Sequence, residues 1–464
     1  MDPADAFVNL YDKLRHVTAD MLSIWSDTTE VGELAERVRV DVVRSGTLHA
    51  RWNPSNMVDQ PSMFGVLLGL DLALLHASRD MDRLGSDTLD ELRVRLTITG
   101  RLNDDTSGLL LFRRASWLRP NEDREELAGF LNLLRVPAHL SSDINVQFVP
   151  EAYDLPDTED VHTPGELDSP PPLVIAQLPL LAEPSDLCWN TMENAQGAYY
   201  TVAPESDQLL PHLREALTAL DDSGAALAFL PEAALDEQIF AQWCELLENT
   251  PRPEHSALTW LLLGTGPVTS VGPPTNTTRN PNRAVLTHRS GTTRLLLTQD
   301  KRSGFCFTTE KQKEYGVALG DVKRDEYIAH THQFNLLESR HGRFAVQICE
   351  DFDRPDRQTS VMAAGVTHLV VPVLAAAMWS QGWQAKAGQV FGINAGTKVA
   401  VGNGLAIQRF FNEDPVPTLL TVAGPPGVAD QYLTTEELVR VHPNQDSTTM
   451  EAREDALKPR VANW

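Results

Sequence analysis

Three ionisable side chains, a carboxylate, an ammonium and a thiol, stand at the ends of three apolar runs. Glu232 follows "LAFLP", Lys301 follows "RLLLTQD" and Cys349 follows "RFAVQI". A thiol attacks a carbonyl or nitrile carbon only as the thiolate, so it needs a base and a nearby positive charge. Glu232 can take the proton and Lys301 can supply the charge. Lys301 and the backbone N–H after Cys349 could then hold a tetrahedral oxyanion. The need for a cation is specific here, because Glu350 and Asp351 follow the cysteine and would oppose its ionisation by repulsion. Taken singly, each residue has a bland reading: a solvated glutamate, a surface lysine, a thiol packed as a small hydrophobe. Lys301 is set apart by composition, since no lysine occurs between Lys13 and Lys301 although arginines are frequent. Lys311, Lys313 and Lys323 follow closely, which also fits a loop that simply tolerates lysine.

The elements that must position these groups alternate in type. "PPLVIAQLPL", "AALAFLPE" and "ALTWLLLGTG" read as strands, and "SDQLLPHLREALTALDDSG" as a helix that buries Leu209, Leu213, Leu217 and Leu220 and stops at Gly224. "NRAVLTHRSGTTRLLLTQDK" reads as a hairpin turning at Ser290 and Gly291. Beyond the cysteine come a short helix in "RPDRQTSVMAAG" closed by Gly365, a buried strand in "VTHLVVPVL", a helix in "SQGWQAKAGQVFGINAG" and a strand in "TKVAVGNG". Such alternation predicts an α/β layered domain whose reactive groups gather at strand ends.

Before this domain the chain has a different rhythm. "DAFVNLYDKLRHVTADMLSIW" spaces Phe7, Leu10, Tyr11, Leu14, Val17 and Met21 at helical intervals, and "MFGVLLGLDLALLH" and "EELAGFLNLLRV" are similar. "LRVRLTIT" and "GLLLFRRASWL" read as strands. Residues 1–152 are therefore expected to form a mainly helical domain, with no chemical motif of their own. Residues 153–171 are rich in proline and acid and read as an exposed linker; residues 172–442 form the α/β domain and 443–464 a C-terminal tail.

Composition limits the function classes. The 464 residues are 42% hydrophobic, enough for a substantial core, and carry a formal charge of −25, which repels phosphate backbones; no direct nucleic-acid binding is expected. Cys188, Cys244, Cys306 and Cys349 form neither a zinc-like spacing nor a disulfide framework, which points to a reducing compartment. With no signal pattern, and with the most apolar run short and interrupted by Asp71, the expectation is a cytoplasmic protein without a membrane span. His330 and His332 would share one face of a strand as metal ligands might, but no third ligand lies at informative spacing, so no metal is expected.

The order of Glu in "FLPEAAL", Lys in "LLLTQDK" and Cys in "VQICEDFDRP" resembles the nitrilase, or carbon–nitrogen hydrolase, superfamily. The resemblance spans roughly residues 172–442 and takes in "AGVTHLVVP", Trp379 and Trp383 in "AMWSQGWQAKAGQVFGINAGTKVAVGNG", and "TVAGPPGVADQYL". It implies a four-layer αββα sandwich that pairs into a homodimer or larger homo-oligomer. It also implies a cofactor-free reaction in which Cys349 attacks a non-peptide C–N bond and Glu232 activates water against the thioester. A second glutamate between the lysine and the cysteine is implied as well; Glu314 in "KEYGVALGD" is the preferred match and Glu310 its rival.

"CED" at the nucleophile is similar to the glutaminase domains of NAD synthetases. It tilts the expected substrate toward a small-molecule or side-chain amide, although no "SGGxDS" loop or Walker sequence accompanies it. "DVKRDEYIAHTHQFNLLESRHG" is expected to be a hairpin inserted over the site. The alternatives are a nitrilase-fold scaffold without turnover, acting through a protein partner of the N-terminal domain, and a soluble acyltransferase in which an amine replaces water.

Overall fold

The computed structural model describes residues 1–79, 102, 108–112, 126–156, 173–274, 278–376, 383–407, 419–424 and 456–464. The chain divides into two compact units, Met1–Phe148 with Ala363–Gly365, and Val149–Met362 with Val366–Trp464.

The first unit is built on helices α1 (Pro3–Leu14), α2 (Ala19–Ser26), α3 (Thr29–Ser45) and α4 (Gln60–Arg79). Asp2 caps α1 by accepting from the Ala4 and Asp5 amides, with Pro3 in the first turn where no N–H is needed. The run expected to be continuous through Met21 breaks after Leu14; extended Thr18 precedes α2, and Met21 is exposed on it. α3 ends at Gly46, whose φ of 69° is the left-handed cap glycine supplies at little cost. Helices α3 and α4 approach closely at Gly69, where a Cβ would lie 2.5 Å from the Ala35 carbonyl oxygen. Strands β1 (Gly108–Phe112) and β2 (Leu133–Pro137) pair antiparallel, and β3 (Ile144–Phe148) follows. The buried Asp71 that interrupts the apolar run of α4 accepts from the amides of Asn132 and Leu133, so this charge ties the helix to the start of β2.

The second unit is built around two large sheets. In the first, β4 (Val174–Gln177), β7 (Leu227–Phe229) and β8 (Trp260–Gly266) are parallel, and β9 (Arg283–His288) and β10 (Gly291–Asp300) continue antiparallel as the expected hairpin. Its far edge is β18 (Arg460–Asn463), antiparallel to β4, so residues expected to be a tail complete the sheet. In the second, β13 (Phe334–Ser339) pairs antiparallel with β14 (Gly342–Val346); β15 (His368–Val373) and β16 (Lys398–Asn403) follow in parallel, and β17 (Leu420–Ala423) closes antiparallel.

The two sheets pack face to face. Gly402 lies so close to Phe229 and Gln177 that a Cβ there would clash, and Trp260 meets Phe344 edge-on at 4.9 Å. On the outer face of the first sheet, helices Leu213–Asp221 and Glu237–Asn249 bury Leu217, Leu220, Ile239 and Trp243 with Leu261, Leu263 and Val285. The first of these begins only at Leu213, because Pro211 supplies no amide to extend an α-helix back to Ser206. On the outer side of the second sheet, Gly388 of helix Trp383–Ala395 sits against Ala423, and Phe391 stacks on Phe352 at 5.4 Å. The layers are therefore αββα, as expected.

A third, four-stranded sheet joins β5 (Leu187–Asn194), β6 (Gly197–Pro204), β12 (Arg324–Glu326) and β11 (Cys306–Phe307). The stretch expected to be an inserted hairpin is divided: β12 belongs to this small sheet and β13 to the second large one. His330 and His332 lie exposed between them outside any strand, and among the described residues no cluster of three or more His, Cys, Asp or Glu could hold a metal ion. No helix among the described residues is long and apolar enough to cross a membrane. "LRVRLTIT", residues 157–171, Trp379, the side chain of Trp383 and the latter part of "TVAGPPGVADQYL" lie outside the described residues.

Candidate active site

Glu232, Lys301 and Cys349 each follow a strand at the same end of the second unit. Glu232 comes three residues after β7, in a turn where Ala233 adopts φ 61° and the Leu235 amide donates to the Thr265 carbonyl. Lys301 directly follows β10, and its amide donates to the Asn282 carbonyl at 2.8 Å. Cys349 follows β14; its amide donates to the Pro372 carbonyl at 3.1 Å. The cysteine itself has φ 47° and ψ −106°, a conformation that costs a residue with a Cβ on the order of 1–3 kcal/mol. It turns the chain sharply from strand into the short helix Glu350–Asp353, which presents the side chain at the bend.

The three groups meet. Lys301 Nζ lies 2.8 Å from Glu232 Oε1, and both are almost fully buried. The Cys349 thiol faces the same carboxylate across the cavity, and Glu232 Oε2 accepts from the Leu374 amide at 3.1 Å. Burial pushes the Cys349 thiol well above its ordinary range; Glu232 pushes the same way, while Lys301 and the Leu374 amide oppose. At rest the sulfur therefore carries its proton, beside a carboxylate able to accept it. Burial alone would lower the Lys301 pKa, but Glu232 and Glu326 outweigh it and hold the ammonium charged.

Glu326 corrects the expectation for the second glutamate. Its Oε2 lies 2.7 Å from Lys301 Nζ and accepts from the Phe305 amide at 2.9 Å. Glu314 is exposed on the wall of the cavity, and Glu310 is exposed as well; neither pairs with Lys301. The physical reason is strand geometry. β12 runs parallel to β6 with Glu326 beside Tyr200, and alternation points Arg324, Glu326 and Ile328 inward while Asp325 faces out. That alternation of inward charges in "KRDEYI" is the signal that could have singled out Glu326. Asn282, whose side chain bridges Glu232 and Glu326, stands between Pro281 and the start of β9, where no sequence pattern marks it.

The acids beside the cysteine take different roles. Asp351 is buried and accepts from the Arg302 amide at 2.9 Å, so it braces the turn rather than entering the cavity. Glu350 is half-buried on the cavity wall; burial raises its pKa, against the pull of Lys301, Arg354 and Lys311.

The cavity has a volume of about 230 Å³. Trp189, Tyr200, Phe305, Phe307 and Tyr315 form its aromatic wall, and Glu232, Lys301, Glu326 and Cys349 its floor. The wall is itself a packed cluster, with Tyr200 and Phe305 each meeting Phe307 edge-on at centroid distances of 5.0 and 4.9 Å.

No family model matches the sequence. No curated protein matches it either. Solved structures do show likeness. A variant of the amidase from Nesterenkonia sp. AN1, carrying the acetamide moiety of fluoroacetamide on its active-site cysteine, shares 15% identity over 55% of this chain and 82% of its own, with a TM-score of 0.35. Nit3 of Saccharomyces cerevisiae, a member of branch 10 of the nitrilase superfamily, shares 14% identity over 55% of this chain and 83% of its own, also with a TM-score of 0.35. By its own layers, the second unit is an αββα sandwich.

Proposed function

We propose that the chain is a cysteine-dependent hydrolase that cleaves a small-molecule or side-chain amide through a thioester on Cys349. The observation that carries this reading is the meeting of thiol, carboxylate and ammonium at the floor of one aromatic-walled cavity. Structural cysteines rest among hydrocarbon; this one shares a cavity floor with a buried carboxylate and an ammonium and occupies a strained backbone conformation.

The chemistry balances on these groups. Cys349 Sγ bonds to the amide carbon while its proton passes to Glu232, and the carbonyl oxygen takes negative charge beside Lys301 and the Glu350 N–H. Glu232 returns the proton to the amide nitrogen, the C–N bond breaks, and ammonia or an amine leaves. Water then attacks the thioester carbon and gives a proton to Glu232; the C–S bond breaks, the acid leaves, and sulfur regains its proton. Glu326 keeps Lys301 in place throughout.

The test is ammonia or amine release from a panel of amides, by the full-length protein and by Cys349→Ala. Release that the substitution abolishes supports the reading. No release from any amide, together with a Cys349 inert to alkylation, would favour the scaffold alternative.

A further inference from the structure

Asn282 occupies a position that the reaction scheme does not yet use. It stands immediately before β9, across from Lys301, whose amide it accepts. Residues directly opposite on paired strands project to the same face, so the Asn282 and Lys301 side chains enter the site together. The next pair, Arg283 and Asp300, is locked by Arg283 Nε and Nη2 at 2.5 and 2.9 Å from the two carboxylate oxygens, which fixes the register beneath them.

The Asn282 side chain is buried, and its Nδ2 donates to Glu232 Oε1 at 3.0 Å and Glu326 Oε1 at 3.2 Å. Both protons of one amide nitrogen are thus spent on the two carboxylates that flank Lys301. The orientation of the amide follows from charge, since the opposite setting would aim its oxygen at two anions. Oδ1 has no hydrogen-bond partner among the described residues, so the buried amide gives up one acceptor contact to keep both donors on the carboxylates.

Electrostatics says why a neutral donor is needed. One ammonium serves two buried carboxylates, leaving an excess negative charge that a proton would relieve. A proton on Glu232 would remove the base, and a second cation would hold Glu232 as a salt rather than leave it free to accept. An amide N–H stabilises the carboxylate without adding charge. We propose that Asn282 is a positioning residue whose two N–H groups hold Glu232 and Glu326 apart on either side of Lys301, so that Glu232 stays placed to take the thiol proton. This rests on the reading of Glu232 as the base.

The test needs no substrate. The full-length protein is treated with iodoacetamide across pH, and alkylation at Cys349 is followed by peptide mass spectrometry in the wild type, Glu232→Gln, Asn282→Leu and Asn282→Ser. In the wild type the rate is expected to fall on the acid side with an inflection that Glu232→Gln abolishes. Asn282→Leu is expected to move that inflection up by about one pH unit, because a carboxylate that loses a donor binds its proton more readily. A merely structural role would lower the unfolding midpoint and leave the inflection in place, and that result overturns the proposal. If Asn282→Leu does not fold, Asn282→Ser is read the same way: an upward shift supports the proposal and none overturns it. A wild-type profile without a Glu232-dependent inflection would remove the base assignment and this inference with it; an inflection indifferent to Asn282 removes only the inference.

Discussion

Buried charge is handled in two ways within the second unit. Away from the cavity three fully buried arginines each meet a buried carboxylate: Arg283 with Asp300, Arg289 with Asp221, Arg343 with Glu338. These pairs are balanced, and carbonyl oxygens take further guanidinium protons, as Thr250 does for Arg289. At the cavity floor one lysine serves two glutamates, and a thiol and a neutral amide share the same carboxylates. The cations differ in kind too. Guanidinium stays protonated and forks onto a carboxylate, whereas an ammonium is a compact charge that can be shared and approached. The balanced pairs hold the strands together; the unbalanced cluster concentrates negative charge and strain around a sulfur.

The largest test of that contrast removes the cations. Lys301→Met should cost on the order of 3–5 kcal/mol in urea unfolding, because two buried carboxylates lose their counter-charge, and it should also abolish Cys349 alkylation. Arg289→Met should cost a similar amount, since Asp221 is left buried and unpaired, while Cys349 reactivity stays as in the wild type. Equal effects of both on the thiol would erase the distinction.

Neutralising carboxylates sharpens it. Asp221→Asn breaks a balanced pair and should again cost about 3–5 kcal/mol, whereas Glu326→Gln leaves Lys301 paired one-to-one with Glu232 and should fall within about 1 kcal/mol of the wild type. Glu326→Gln should nevertheless slow alkylation. Its failure to do so would reduce Glu326 to packing.

A smaller effect concerns His288, which is next to Arg289 on the balanced side. Burial, with Arg294 and Arg252 adding to it, lowers its pKa from 6.5 to about 4. The folded ring stays neutral where the unfolded ring takes a proton, so stability should decline as pH falls from 6.5 to about 4. His288→Gln should flatten that part of the stability–pH curve by on the order of 1–2 kcal/mol, since the ring is not wholly removed from water. The smallest effect is expected from Glu314→Gln. The carboxylate is exposed on the cavity wall, and its loss should change stability by less than about 0.5 kcal/mol and alkylation by less than about threefold.

The sequence made the site legible where chemistry and strand ends coincide. Glu232, Lys301 and Cys349 each close an apolar run, and parallel or hairpin pairing brings those ends to one edge of the unit. Glu326 escaped because β12 is three residues long and mostly charged, so its strand character comes from pairing with β6 and β11 rather than from its own apolar pattern. β18 reads as a tail in the sequence for a related reason: "RVAN" has little propensity of its own and becomes a strand through its partner β4. Asp71 shows the converse. Its place in an apolar run was visible, but its partners lie 61 and 62 residues on, which local pattern cannot reveal.

The central claim is that sulfur, carboxylate and ammonium act as one covalent site, and the most direct measurement is intact-mass trapping. The protein is incubated with a panel of amides as wild type, Glu232→Gln and Cys349→Ala. The account predicts that rapid acid quench of the wild type captures an acyl adduct that maps to Cys349, that the adduct forms far more slowly in Glu232→Gln, which can neither take the thiol proton nor protonate the leaving nitrogen, and that it is absent from Cys349→Ala. An adduct that persists in Cys349→Ala, or no adduct on any form with any amide, would contradict it.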